Sequence, residues 1–382
     1  MNINDYINII RQVGNGLIKS YSETNKAQTG INGPYDDPET EVRYLAHLLV
    51  ITAVEYLKYN KVEYEDVIVS IADRLLSMKQ SNGVYKMRMK SGKDECNGTI
   101  GHAWLIEGYL YAYKALREQK FLVEIERIFL MHSFSNRLGL WGRPLLGCND
   151  NSIDYTFNHQ LWYAATLAEF LQVKPNKELQ RQLKIFLEKL PQTVTTSCDG
   201  RVAHAIYGRI SLKAAFKYKI VKLRDGVNDI LSRPSLRYKE IGYHVFNLMA
   251  FARIYKLYPN VTFFNSSRFK KALGIVSTSC FIKELEADNM NMDASTHGSS
   301  LASDEQSINI YGYPYNVPGF EIMYCGGVFS DIIGEETVQK MMTRQFELTW
   351  DNESKKFGRL CHDKVSVNYR VYEFYRYLEE KK

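Results

Sequence analysis

Asp94-Glu95-Cys96-Asn97-Gly98-Thr99-Ile100-Gly101-His102-Ala103-Trp104 runs without a break into Leu105–Leu116, and this junction of polar loop and apolar helix decides the fold. Ala103, Trp104, Ile106, Tyr109, Leu110, Tyr113 and Leu116 go all the way round a helical wheel, so the helix must be buried on most sides. Polar groups gather only at its entrance. Asp94, Glu95, Asn97 and His102 stand where free backbone N–H groups and the positive end of the helix dipole favour carboxylates and other acceptors. A buried helix with a polar mouth points to a site at its N-terminal end.

The same unit recurs along the chain. Glu39–Tyr59, Asp154–Val173, Ala203–Tyr218, Ile241–Tyr258, Pro318–Ser330 and Val365–Glu380 are predicted as apolar helices, with Asp37 as N-cap and Pro38 as first residue of the earliest. Between them lie helices with one apolar stripe, such as Val62–Met78, Phe121–Ser133 and Glu335–Thr349; Leu179, Leu183, Phe186, Leu187 and Leu190 mark the clearest. A period of roughly 50 to 60 residues, each unit pairing an amphipathic with an apolar helix across a glycine turn, is the mark of a repeat architecture. The predicted fold is all-α: an α/α toroid, a double ring of six or seven helical hairpins in a single domain spanning 1–382. Ala287–Val317 is the one long irregular insertion and is expected to act as a lid or binding loop.

Composition fits a globular protein, with 45% hydrophobic and 24% charged residues. A net charge of +6 and a pI near 8.7 favour anionic partners such as uronic-acid glycans. The 49 basic residues are dispersed, which excludes a nucleic-acid reading. No window is long and apolar enough for a membrane span. The start Met1-Asn2-Ile3-Asn4-Asp5 lacks a signal-peptide pattern, and the six dispersed cysteines read as free thiols, so a cytoplasmic location is expected.

Aligning the apolar helices on their first turns puts His102, His159 and His244 on one tier, joined by Arg43, Tyr207, Arg209, Glu321, Asn368 and Arg370. Trp104, Trp141 and Trp162 fall near the wall of the resulting funnel. Each histidine also fits the role of a cap or a satisfied core residue, and most aromatics fit packing; Trp141, between Gly139 and Gly142, has less core to join. Glycoside chemistry needs a protonated acid and a second carboxylate. Asp94 or Glu95, beside apolar Ile100 and Trp104, is the expected acid, and Asp154, held ionised at a helix N-terminus, its partner. His102, Trp104, Trp141, Arg143, His159, Trp162, His244 and Glu321 are the expected substrate contacts. Asp36, Asp37, Asp150 and Asp363 are also loop carboxylates, and capping accounts for Asp37, Asp154 and Asp363. Cys361-His362 with Cys96, Cys148 and Cys198 allows a mixed zinc site, but no local ligand spacing supports it. No metal and no cofactor are assigned.

The succession of glycine turn, polar loop and apolar helix, above all Asn97–Glu107, resembles the six-hairpin glycosidase-type toroids, including unsaturated glucuronyl hydrolases and toroid proteins of surface-polysaccharide gene clusters. Asp36–Thr40 and Tyr313–Glu321 resemble segments of the latter group. The resemblance implies a glycoside hydrolase-like protein of surface-polysaccharide metabolism, with Asp94 and Asp154 in places similar to the two acids of the glucuronyl hydrolases, whose His-Asp-x-Gly-Phe motif is absent here. Cys361-His362 resembles the zinc pair of lanthionine cyclases, but Gly142 follows Trp141 where their Trp-Cys loop would require cysteine. The alternatives are a non-catalytic glycan-binding toroid and a lanthionine-cyclase-like zinc protein.

Overall fold

The computed structural model describes residues 2–144, 152–206, 220, 236–286 and 308–381. Fifteen α-helices occur among them. In chain order they are α1 (Ile3–Thr24), α2 (Glu41–Tyr59), α3 (Glu65–Ser77), α4 (Ile100–Leu116), α5 (Gln119–Met131), α6 (Phe157–Val173), α7 (Lys177–Thr193) and α8 (Leu236–Gly242). There follow α9 (His244–Leu257), α10 (Ser267–Gly274), α11 (Ser279–Glu286), α12 (Pro318–Val328), α13 (Glu335–Thr349), α14 (Ser366–Tyr369) and α15 (Tyr372–Glu380).

Six of these, α2, α4, α6, α9, α12 and α15, pack each on the next, and α15 returns to α2, closing the inner ring at six. The seventh hairpin is not needed, because α6 lies directly against α9. Ala203–Ile206, expected to begin a helix, is extended instead, with Ala205 bridged to Thr156 and Val202 to Thr196. Residues 207–218 of that expected helix, with Tyr207 and Arg209, lie outside the described residues, as do 287–307 of the expected lid.

The sequence pattern explains the layers. Every residue from Ile100 to Ala112 of α4 is buried, as an apolar helix enclosed on all sides must be. In α7 only Leu179, Gln182, Leu183, Phe186, Leu187, Leu190 and Thr193 are buried, one stripe of an outer helix. The inner helices approach closely at Gly108, where a Cβ would lie 2.9 Å from the Ala46 carbonyl oxygen of α2. The buried side chains form one continuous cluster round the ring. No described helix is long and apolar enough to cross a membrane.

Two expected caps differ. The first inner helix begins at Glu41 after Thr40, not at Pro38, and Asp37 is instead buried against Arg88 at 3.0 Å. Asp363 does cap, accepting from the Ser366 N–H at 3.0 Å, and also ties down the first loop through the Ile31 N–H at 2.8 Å.

Candidate functional site

The N-terminal ends of all six inner helices open on one cavity of about 150 Å³. Arg43 of α2, Ile100 and Trp104 of α4, Asn158 and His159 of α6, Phe246 of α9, Asn316 before α12 and Arg370 before α15 all line it. Loops complete the wall with Asn32, Tyr35, Arg88, Lys93, Asn97, Thr156, His204, Tyr243 and Tyr315, together with Lys239 of α8. A larger cleft of about 470 Å³ is lined by Tyr255, Tyr324 and Tyr377, but its Lys256 and Glu380 are mutually engaged and among the described residues no imidazole lines it.

Asp154 and His159 form the most constrained pair of the funnel. Asp154 is buried, and its Oδ2 accepts from His159 Nδ1 at 2.8 Å and from the Thr99 N–H at 2.9 Å, while Oδ1 accepts from the Thr156 N–H at 3.1 Å. Burial alone would raise its pKa, but the His159 imidazole and the two backbone donors outweigh it and hold the carboxyl well below its ordinary range. Asp154 therefore sits ionised on the N-terminus of the neighbouring helix α4. An ionised carboxylate only accepts, so His159 Nδ1 carries a proton and donates it to Asp154, which leaves Nε2 on the cavity side. Gly98 makes this possible: its φ is +66°, and a Cβ there would lie 2.0 Å from Asp154 Oδ2 and 2.6 Å from His159 Nδ1.

His204, which the sequence reading passed over, lines the same cavity, and its Nδ1 has no hydrogen-bond partner among the described residues. Burial, then the positive charge of Lys239, pushes its pKa well below the histidine range, so it is neutral.

The other expected contacts divide sharply. His102 is fully buried behind the wall: Nε2 accepts from the Tyr85 N–H at 3.4 Å and Nδ1 meets His132 Nε2 at 2.8 Å, with His132 Nδ1 on the Gly142 carbonyl at 2.9 Å. His244 is satisfied in the same manner, by the Val202 N–H at 3.3 Å and the Ala272 carbonyl at 2.8 Å. Neither faces the funnel, because both clamp an extended segment against an outer helix. Trp141 has found a core after all, packed at tilted angles among Phe134, Tyr163 and Phe186 with Nε1 donating to Gln182 at 2.8 Å. Trp162 lies beneath the funnel, stacked on Phe246 at 4.1 Å with Nε1 on Glu107 at 2.9 Å. Trp104 alone of the three reaches the cavity; Arg43 lies over its ring at 4.1 Å.

Asp94 and Glu95 do not sit in the apolar setting expected of them. Asp94 accepts from Arg88 at 2.8 Å and from the Gly98 N–H at 2.7 Å, with Arg143 at 3.6 Å, and Glu95 pairs with Lys86 at 2.7 Å on the outer surface. Glu321 lies below the floor, holding Arg370 at 3.0 Å. Burial and the nearby Glu373 push the Glu321 carboxyl well above its ordinary range, and burial moves Glu373, despite Arg370, to about 7. Asp150 and Cys148 lie outside the described residues. The Cys361 thiol turns to the Arg359 carbonyl at 3.3 Å while His362 pairs with Asp36 at 2.6 Å, so the adjacent pair points apart. Among the described residues no three His, Cys, Asp or Glu side chains converge on a metal position.

Taken together, the cavity lining contains Arg43, Arg88, Lys93, Lys239 and Arg370, and among the described residues no carboxylate. Of these cations the sequence alignment of helix starts found only Arg43 and Arg370. Arg88, Lys93 and Lys239 come from loops and a short helix whose direction no periodicity reveals.

Comparison with known proteins agrees with the ring. No family model matches the chain. It is 28% identical over 356 residues to archaeal glycosylation protein Q of Haloferax volcanii, covering 90% of each chain. Among solved structures it resembles cellobiose 2-epimerase from Bacillus thermoamylovorans B4167, at a TM-score of 0.65 and 10% identity over 99% of this chain and 100% of that one. It also resembles a D-mannose isomerase, at 0.63 and 13% identity over 100% and 98%, and an unsaturated glucuronyl hydrolase specific for heparin, at 0.58 and 10% over 98% and 96%. Along its length the chain thus has the six-hairpin glycosidase-like α/α toroid fold.

Proposed function

We propose that the protein is a carbohydrate-active enzyme of surface-glycan assembly, working in the cytoplasm by histidine-centred proton transfer on a sugar. Similarity to a glycosylation protein supports the carbohydrate context. The toroid fold is shared by epimerase, isomerase and hydrolase neighbours, so the chemistry has to be argued from side chains.

The observation that carries the reading is the Asp154–His159 pair, an ionised buried carboxylate fixing one imidazole so that its other nitrogen faces the cavity. That is the arrangement of a general base oriented by a third group. Hydrolysis of a glycoside asks for two carboxylates flanking the bond. Here no carboxylate among the described residues lines the cavity, and those behind its wall are committed, Asp154 to His159, Asp37 and Asp94 to Arg88 and Glu321 to Arg370, which favours proton abstraction over the hydrolase expectation. In this reading His159 Nε2 takes the proton from a carbon next to the carbonyl of an open-chain sugar. The carbonyl oxygen gains the charge and is met by the floor arginines, Arg43 and Arg370, and neutral His204 exchanges a hydrogen bond with a neighbouring hydroxyl. Return of a proton to the opposite face of the same carbon gives epimerisation, and its delivery to the former carbonyl carbon, with the hydroxyl proton passing from one oxygen to the other, gives isomerisation.

The test is deuterium wash-in. Reducing sugars incubated with the protein in D₂O should gain deuterium beside the carbonyl, followed by NMR, and His159→Gln should abolish the gain. Binding of sugars without any exchange would instead establish the glycan-binding alternative.

A further inference from the structure

Lys239, on α8, and Lys93, on the loop before α4, both line the funnel. Their ammonium groups lie 5.0 Å and 5.9 Å from the ring centre of the same residue, Tyr35. Lys93 has Asp37 at 3.7 Å, shared with Arg88, whereas no carboxylate pairs with Lys239 among the described residues. Lys239 is instead surrounded by aromatic rings, with Tyr311 at 5.8 Å and Tyr243 at 6.0 Å. A half-buried Lys239 ammonium, ringed by tyrosines, repelled by Lys93 and without a carboxylate of its own among the described residues, is an unfavourable arrangement unless a ligand brings the charge. The N-termini of six inner helices converge on the same space and add positive potential.

We infer that Lys239 and Lys93 form an anion subsite of the funnel, and that Lys239 is the specificity-determining residue that selects sugars carrying a carboxylate or a phosphate over neutral sugars. The inference rests on the carbohydrate reading of the funnel. It makes no use of His159, so the two fail separately. Burial, then Lys93, lowers the Lys239 ammonium to about 8, which is what the missing counter-ion would produce. An anion seated between the two lysines reverses that shift and removes their repulsion. Tyr35 and Tyr243, joined through their hydroxyls at 2.8 Å, keep the rings in place around the subsite.

The experiment compares glucose, glucuronate and glucose 1-phosphate as ligands of the full chain by titration calorimetry at low and high salt. A charge-assisted contact predicts about tenfold or greater preference for at least one anionic sugar over glucose. The preference should shrink with salt, disappear in Lys239→Met and survive in Lys239→Arg. Lys93→Met gives an independent reading should Lys239→Met not fold. A gain confined to glucuronate assigns the ligand group as a carboxylate, and a gain confined to the phosphate assigns a phosphate. Equal affinity for all three, no measurable binding of any, or an unchanged preference in the folded lysine variants overturns the inference. His159→Gln should keep the anion preference. Loss of proton exchange in the wild type with the preference intact sinks the proton-transfer reading and leaves the subsite standing.

Discussion

His102 and His159 are each the third residue of an inner helix, yet one is enclosed with both ring nitrogens engaged and the other faces the funnel. What separates them is rotation. The residue of α6 that does the work of His102 is Gln160, whose side chain accepts from the Trp141 N–H at 2.9 Å and donates to its carbonyl at 2.7 Å. His102 holds Tyr85 and His244 holds Val202 by the same kind of contact. His159 is one residue short of that position, and one residue turns a side chain by about 100° round a helix. The polar tier at the helix starts therefore contains two kinds of group, clamps that face the outer ring and functional groups that face the axis.

The largest expected effect separates these kinds by rate. Asp154→Asn and His159→Gln should each lower proton exchange by about 10²- to 10⁴-fold. Gly98→Ala should approach the same loss, since its Cβ would intrude on both partners at 2.0 Å and 2.6 Å. A His102 variant that remains folded but loses exchange as completely as the His159 variant would break the distinction.

The next effect concerns pH and belongs to the clamps. Burial lowers the pKa of both His132 and His244 to about 4, against about 6.5 in the unfolded chain. Between these values the unfolded state binds more protons, so stability is full above about 6.5 and is lost as pH falls toward 4, by up to about 3 kcal/mol for each group. Asp154, whose folded pKa is depressed, adds a further loss only below its unfolded value of about 3.9. Glu321 and Glu373, whose pKa values are raised, act in the opposite direction over the same range, so the histidine contribution is read as a difference: between about pH 6.5 and 5 the urea midpoint of the wild type should fall relative to that of His244→Phe.

This contrast also marks what could be read from the chain. The ring was legible because alternation between helices apolar all round and helices with one stripe, such as α4 and α7, follows from burial and needs no tertiary knowledge. Asp154 and His159 were legible as residue types at a helix start. Their separation from His102 and His244 was not, because helix rotation is fixed by neighbours and an alignment error of one residue exchanges wall for core. Lys239 gave no signal, since its significance lies in the absence of a carboxylate that only the assembled funnel can reveal. Trp141 misled because its glycine-flanked loop folds back onto α7, where Gln182 and Phe186 were waiting.

A smaller loss is expected from His102→Leu. It leaves the Tyr85 N–H and His132 Nε2 without partners in a dry environment, which should cost about 2 to 4 kcal/mol of stability. The rate per folded molecule should stay near the wild-type value. Chemical denaturation alongside exchange kinetics reads both quantities, and a selective fall in rate would move His102 into the site.

The smallest effects come from the tryptophans and give the finest test of which way the wall faces. Trp141→Phe removes the Nε1–H donated to Gln182 and leaves that buried oxygen without its partner, a loss of about 1 kcal/mol. Sugar affinity should not change, because Trp141 is fully buried among Phe134, Tyr163 and Phe186. Trp104→Phe should do the reverse. Its Nε1 has no hydrogen-bond partner among the described residues, so little stability is tied to that atom, but the ring lines the cavity beneath Arg43. A smaller ring there loosens the guanidinium and part of the apolar face, and affinity should weaken about two- to fivefold, within the range of a modest cation–π contact. Equal changes in affinity for the two variants would mean that Trp141 communicates with the funnel, and the division into clamps and facing groups would have to be redrawn.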